Sequence, residues 1–126
     1  MELFTSEGCS SCPPANALLE RITQRTRKQG LRVYPLSFHV DYWNELGWKD
    51  PFSDTAYTRR QRQYGQAMAL SSIYTPQMIV NGTDQFVGHR QAIADKSIEK
   101  ALNVGEIVPV FLIAGRTPPV PDPQLD

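Results

Sequence analysis

The chain contains two cysteines, and they sit together as Cys9-Ser10-Ser11-Cys12. Two thiols three residues apart suit disulfide exchange. A thiolate attacks a partner disulfide, and the second thiol resolves the mixed disulfide by closing an intramolecular bond. Cys9 is the expected attacking group, because it lies nearer the loop and solvent, and Cys12 the resolving one, inside the first helical turn. Three other uses compete with this one. A structural bond across so small a loop adds little stability. A zinc or copper clip needs two more ligands, for which only His39 and His89 are available, without partner spacing. Inert thiols are the third. Glu7, two residues before Cys9, would raise a thiol pKa and shuttle protons if it lies close to the sulfurs. The exchange needs no organic cofactor and no metal, and its partner is a protein or peptide dithiol or disulfide.

The elements around this motif are legible. Leu3-Phe4-Thr5 reads as a short strand entering the loop Ser6-Glu7-Gly8. Pro13 and Pro14 mark a helix that is just starting, since proline is tolerated only in the first turn. Its free N–H groups and the positive end of its dipole would stabilise a thiolate. Ala15, Leu18, Leu19 and Ile22 form one apolar stripe, and Gly30 ends the helix after Arg25, Arg27 and Lys28. That basic cluster reads as a solvated helix end. Residues 31–40 form a strand candidate that Pro35 marks as an edge or a bulge.

A second helix is capped by Ser53 or Asp54 and runs to about Leu70, with Tyr57, Gln61, Tyr64 and Met68 on one face. Met78-Ile79-Val80, Asn81-Gly82 and Phe86-Val87 read as a hairpin. The turn is the better reading of Asn81-Gly82-Thr83, which also has the letters of a glycosylation acceptor. A third helix spans roughly 89–102, with Ala94, Ile98, Ala101 and Leu102 inward. Residues 108–113 look strand-like, and a proline-rich tail follows. The order strand, helix, strand, helix, strand, strand, helix predicts a compact α/β sheet.

Composition narrows the partners. The 126 residues predict one domain, and thirteen basic residues balance thirteen acidic ones, which removes the usual electrostatic case for nucleic acid. Apolar runs are too short for a membrane span, and Met1-Glu2-Leu3-Phe4 has no signal-peptide features. Internal repeats, phosphate loops, dinucleotide glycines and zinc helices are not seen, and nothing in the sequence signals an oligomeric state.

A second signal lies at Tyr74-Thr75-Pro76-Gln77-Met78-Ile79-Val80-Asn81-Gly82. Proline directly before an apolar strand can be simple strand entry. Together with the cysteines it resembles the cis-proline loop of the thioredoxin superfamily. The resemblance implies that Thr75 precedes a cis Pro76 beside the dithiol, pairs its backbone with an extended substrate, and helps keep metal ions away.

A closer resemblance is to a bacterial thioredoxin-like group, domain-of-unknown-function family 1223. It rests on Glu2 to Ala15, on Phe38-His39-Val40-Asp41-Tyr42-Trp43 with Leu46 to Phe52, on Tyr74 to Gly82, and on Phe86-Val87-Gly88. It implies a thioredoxin-like three-layer α/β sandwich over residues 1–102. A mixed four-stranded sheet is flanked by helices, with an aromatic insert after the second strand. Residues 103–126 are then a C-terminal extension, a remnant of a β-rich region. Members of the family usually carry an export signal and a longer first strand. The expectation is therefore a clipped first strand, an unfinished C-terminal part, and a periplasmic or secreted setting by resemblance.

Phe38, Tyr42, Trp43, Trp48, Phe52 and Tyr57 crowd one stretch. They read as a satellite core, with Trp43 and Trp48 as candidate walls of a substrate groove beside the cysteines. Asp41 and Asp50 read as turn residues. The function expected is that of a thiol–disulfide oxidoreductase or redox-responsive domain. The alternative is a thioredoxin-like binding module or a cysteine-based metal clip.

Overall fold

A computed structural model describes residues 1–105. The strand-like run 108–113, the proline-rich tail and nearly all of the expected extension lie outside the described residues. The elements are β1 (Glu2–Thr5), α1 (Pro13–Gln29), β2 (Leu36–His39), a 3₁₀ turn (Tyr42–Leu46), α2 (Thr55–Ala67), β3 (Gln77–Val80), β4 (Asp84–Val87) and α3 (Gln91–Gly105). The strands form one mixed sheet in the order β2-β1-β3-β4. β1 and β2 are parallel, with Phe4 opposite Phe38, and the other two pairings are antiparallel. The architecture is the expected α/β one, consistent with a thioredoxin-like sandwich.

The two-residue side-chain period divides the sheet into two cores. Leu3, Met78, Val80 and Phe86 face α1 and α3, meeting Ala15, Leu18, Leu19, Ile22, Ala94 and Ile98. Phe4 and Ile79 point the other way, toward Val40 and Tyr64, with Phe38, Tyr42 and Trp43 packed alongside. Phe38, Tyr42 and Trp43 of the aromatic stretch thus join a second core, while Trp48 and Phe52 stay outside it.

Local chemistry explains the helix ends. At the end of α1, Gly30 takes a left-handed φ of 68°, and Leu31 N–H reaches back to the Thr26 carbonyl at 2.9 Å. Asp54 caps α2 by accepting the Ala56 N–H at 2.8 Å. The buried face of α2 is more polar than an apolar stripe predicts, with Thr58, Gln61, Tyr64 and Gly65 inside and Tyr57 and Met68 only half-buried. α2 is fastened to β1 by Glu2, whose carboxylate accepts Arg60 Nε–H at 2.6 Å and the Tyr64 hydroxyl.

Two segments depart from the sequence reading. β2 is shorter than residues 31–40, because the ladder starts only after Pro35, where Leu36 N–H meets the Met1 carbonyl at 2.9 Å. Proline has no N–H to contribute, and β2 is the edge strand that tolerates this. α3 begins at Gln91 rather than His89, with Arg90 N–H bonded back to Val87.

Candidate functional site

The dithiol lies in the turn between β1 and α1. Gly8 N–H donates to Ser6 Oγ at 3.0 Å, and Cys9 N–H to the Ser6 carbonyl at 3.2 Å, so the loop folds back before the first cysteine. Cys12 is the residue immediately before α1, and its carbonyl takes the Asn16 N–H at 2.9 Å. Cys9 and Cys12 are joined by a disulfide, with Cα atoms 5.4 Å apart. That separation is ordinary for a disulfide.

Three expectations about this turn are corrected. Cys9 is not an exposed thiol: it is 3% exposed against 0% for Cys12, because the folded-back loop carries it inward. Cys12 caps the helix rather than lying within its first turn. The helix start also offers fewer donors than supposed. Pro13 and Pro14 have no N–H, and the Cys12 N–H is spent on the Cys9 carbonyl at 3.2 Å. The helix dipole remains. Beside the sulfurs, Cys9 Sγ lies 3.6 Å from Ser11 Oγ.

Glu7 is exposed, and its carboxylate has no hydrogen-bond partner among the described residues. Its backbone is what the fold uses: Glu7 N–H donates to Asp50 Oδ2 at 2.9 Å. Asp50, which the sequence offered only as a turn residue, is buried. Oδ2 also meets His39 Nδ1 at 2.7 Å, and Oδ1 accepts Phe52 N–H at 2.9 Å. Burial pushes this carboxyl up, but the Glu7 N–H, the His39 ring and the Phe52 N–H outweigh it and hold the pKa below the ordinary carboxylate value. A signal was present in part, since Asp50 opens the Asp50-Pro51-Phe52-Ser53 turn, closed by Ser53 N–H on the Asp50 carbonyl at 3.1 Å. That the turn reaches back to the loop before Cys9 is a tertiary fact.

The proline loop is held from several sides. The Thr75–Pro76 peptide bond is cis. Trp43 Nε1–H donates to Thr75 Oγ1 at 2.8 Å, which joins the aromatic insert to this loop. Gln61 Nε2–H donates to the Tyr74 carbonyl at 2.7 Å and to Gln77 Oε1 at 2.8 Å, while the Tyr42 hydroxyl donates to Gln61 Oε1 at 3.0 Å. Gly88 N–H donates to the Pro76 carbonyl at 3.0 Å. A Cβ at Gly88 would lie 2.8 Å from Leu3 Cδ1 and 3.2 Å from the Cβ atoms of both Ala15 and Pro76. Gly88 therefore lies against both the Pro76 ring and the first turn of α1. Neither the N–H nor the carbonyl of Thr75 has a hydrogen-bond partner among the described residues.

The insert divides. Trp43 is half-buried, and its Cβ would lie 3.2 Å from one added at Gly8, so it touches the dithiol loop as well as Thr75. Trp48 and Phe52 remain exposed, at 56% and 65%. The Phe52 ring meets the His39 ring edge-on at 5.8 Å. Sequence reasoning missed Asp50 and the Gln61–Gln77 pair. Gln77 was visible as a polar residue entering an apolar strand directly after Pro76.

Other features of the described residues bear on the alternatives. No group of three or more His, Cys, Asp and Glu side chains is gathered closely enough to hold a metal ion. No helix is long and apolar enough to cross a membrane. A cavity of about 520 Å³ lies between β4 and α3, lined in part by Phe86, Ile93, Lys96 and Lys100, with neither cysteine in its wall.

The fold and the turn define an α/β domain with a Cys-x-x-Cys disulfide where the interior strand β1 passes into α1, next to a cis-proline loop. The chain belongs to the family described as protein of unknown function (DUF1223), which matches residues 1–117. It is similar to a protein from Agrobacterium tumefaciens whose X-ray crystal structure is solved, with 40% identity and a TM-score of 0.73. The match covers 82% of this chain and 45% of that one, so the chain spans less than half the length of that relative. No curated protein matches the chain.

Proposed function

We propose that this chain is the dithiol domain of a thiol–disulfide oxidoreductase acting on protein or peptide disulfides. The observation that carries the reading is the Cys9–Cys12 disulfide at the head of α1, with Gly88 set between that helix turn and Pro76 of the Thr75–Pro76 loop. In the reduced protein the Cys9 thiolate attacks one sulfur of a substrate disulfide. A Cys9–substrate disulfide forms and the other substrate sulfur leaves as a thiolate. The Cys12 thiolate then attacks Cys9 Sγ, closes the Cys9–Cys12 bond and releases the second substrate thiolate. Two electrons pass from the protein dithiol to the substrate. In the other direction a substrate dithiolate reopens the bond and is itself oxidised.

The free N–H and carbonyl of Thr75 suit pairing with an extended substrate backbone, as in β-strand addition. Trp43 fixes the Thr75 side chain and lines the approach, with Trp48 further out in solvent. Glu7 has the lesser part of an exposed proton shuttle, and Glu7→Gln then alters the pH profile of dithiol reactivity. The low exposure of Cys9 means that the substrate meets its sulfur only after a local displacement of the covering loop.

The test has two stages. Redox titration with thiol counting is expected to give one reversible two-electron couple. Cys12→Ser is then expected to leave Cys9 covalently linked to a partner polypeptide, with loss of the linkage in Cys9→Ser. A pair that does not cycle overturns the enzymatic reading. One observation favours a second reading in that event. The exposed Trp48 and Phe52 offer an apolar surface suited to a binding module, and binding that persists in a Cys9→Ser, Cys12→Ser chain would select it.

A further inference from the structure

Asp50 gathers three parts of the chain on one carboxylate. It holds the dithiol loop through Glu7 N–H, the end of β2 through the His39 ring, and the insert through Phe52 N–H. Its own N–H donates to Asn44 Oδ1 at 3.0 Å, and its carbonyl takes the Ser53 hydroxyl at 2.8 Å. Every polar atom of the residue is therefore occupied. Glu7 in turn stands two residues before Cys9, in the loop closed by the Ser6 bonds. The position of Cys9 is thus set partly by a buried anion contributed from the insert.

His39 makes this anion responsive. Nδ1 is committed to Asp50, while the other ring nitrogen has no hydrogen-bond partner among the described residues, and the side chain is 21% exposed. A proton taken up at the free nitrogen leaves the Nδ1–H bond in place and turns it from a neutral contact into an ion pair. The titratable groups on the surrounding elements are Glu7 in the dithiol loop, Glu45 and Lys49 in the insert, and Asp54 at the head of α2. None of their side chains bonds to His39 or Asp50 among the described residues. Asp41 is engaged elsewhere, with the Thr55 and Thr58 hydroxyls at 2.8 and 2.7 Å.

We propose that Asp50 and His39 form a positioning pair that couples the proton on His39 to the reactivity of the Cys9 thiol. The proposal rests on the dithiol reading above and deepens it, by making the site responsive to the charge on the His39 ring. With His39 neutral, the Asp50 charge is uncompensated and opposes a thiolate on the neighbouring loop. With His39 protonated, the charge is balanced and the thiolate forms more readily. Two residues of chain reach roughly 7 Å, so the carboxylate lies within about 10 Å of the Cys9 backbone nitrogen and within about 13 Å of its sulfur. At an effective dielectric of about 20, a charge at that range changes thiolate population by about three- to tenfold after solvent screening.

The experiment measures the alkylation rate of Cys9 in the chemically reduced full chain, followed by peptide mapping, at about pH 5.5 and about pH 8, on either side of the range in which imidazoles change charge. Asp50→Asn keeps an acceptor for the Glu7 N–H and removes the charge, so at about pH 8, where a neutral ring leaves that charge uncompensated, Cys9 alkylation is expected to rise about three- to tenfold. His39→Gln leaves the Asp50 charge unbalanced at about pH 5.5, so alkylation there is expected to fall by a similar factor. Opposite signs are the diagnostic result, because loosening of the loop alone would move both variants in one direction. Changes of the same sign, or none, overturn the proposal. If Asp50→Asn fails to fold, His39→Gln decides alone: a fall that disappears above about pH 8 supports the coupling, and an unchanged profile overturns it. This assay needs no substrate. A chain that shows opposite signs but does not cycle with disulfide partners keeps the coupling and loses the oxidoreductase reading.

Discussion

Gly88→Ala tests the packing between the proline loop and the dithiol helix. The added methyl would lie 2.8 Å from Leu3 Cδ1 and 3.2 Å from the Cβ atoms of Ala15 and Pro76. Leu3 is fully buried on an interior strand, Ala15 is fully buried in the first turn of α1, and Pro76 is buried in the loop itself. Only the Leu3 side chain has torsional freedom, and its surroundings are filled. Overpacking of this kind costs about 1–3 kcal/mol, and two rigid neighbours with one enclosed leucine place the expected loss near about 2 kcal/mol. Gly82→Ala is the control. It meets no atom within 4 Å but sits at a φ of 74°, so it carries backbone strain alone, about 1 kcal/mol. Urea denaturation with a constant m-value measures both. Gly88→Ala should also slow disulfide exchange, because relief of the clash moves Pro76 away from α1. A Gly88→Ala protein within 0.5 kcal/mol of wild type, with unchanged exchange, would refute this account of how the loop is seated.

Two further outcomes are expected. Gln61→Leu deprives the Tyr74 carbonyl, Gln77 and the Tyr42 hydroxyl of their shared partner in a fully buried position, and should cost about 2–4 kcal/mol in the same denaturation assay. Acid stability follows from Asp50, Asp41 and Asp84, whose pKa values are all lowered in the folded protein: Asp50 by bonds that outweigh its burial, Asp41 chiefly by the Thr58 hydroxyl, and Asp84 chiefly by the Ser97 hydroxyl. Their stabilisation is complete above the unfolded carboxylate value of about 3.9 and is lost as pH falls through the lower folded values. A urea midpoint that holds steady from neutrality to about pH 5 and drops below about pH 4 is expected, with a smaller drop in Asp50→Asn.

Much of the fold was legible because local chemistry and tertiary packing agree. The α1 stripe, the Gly30 stop, the Asn81-Gly82 turn and the edge position of the strand after Pro35 each follow from backbone or periodicity rules and recur in the structure. The α2 face was legible only in part. Gln61 was assigned inward, but no rule of periodicity says that a glutamine there will span from α2 to the Tyr74 carbonyl and to Gln77 on β3.

The sequence by itself determined that Cys9 and Cys12 stand where a strand gives way to a helix, because proline permits a helix to begin there and apolar spacing continues it. It also placed a proline before an apolar hairpin. Tertiary structure alone decided what surrounds the sulfurs. The backbone turn withdraws Cys9 from solvent. Trp43, from 32 residues upstream, bonds Thr75, and Asp50, from 43 residues downstream, bonds Glu7. Such pairings depend on which surfaces the sheet order brings together. A carboxylate that reads as an ordinary turn residue therefore becomes the buried anchor of the dithiol loop only once the insert has folded over it.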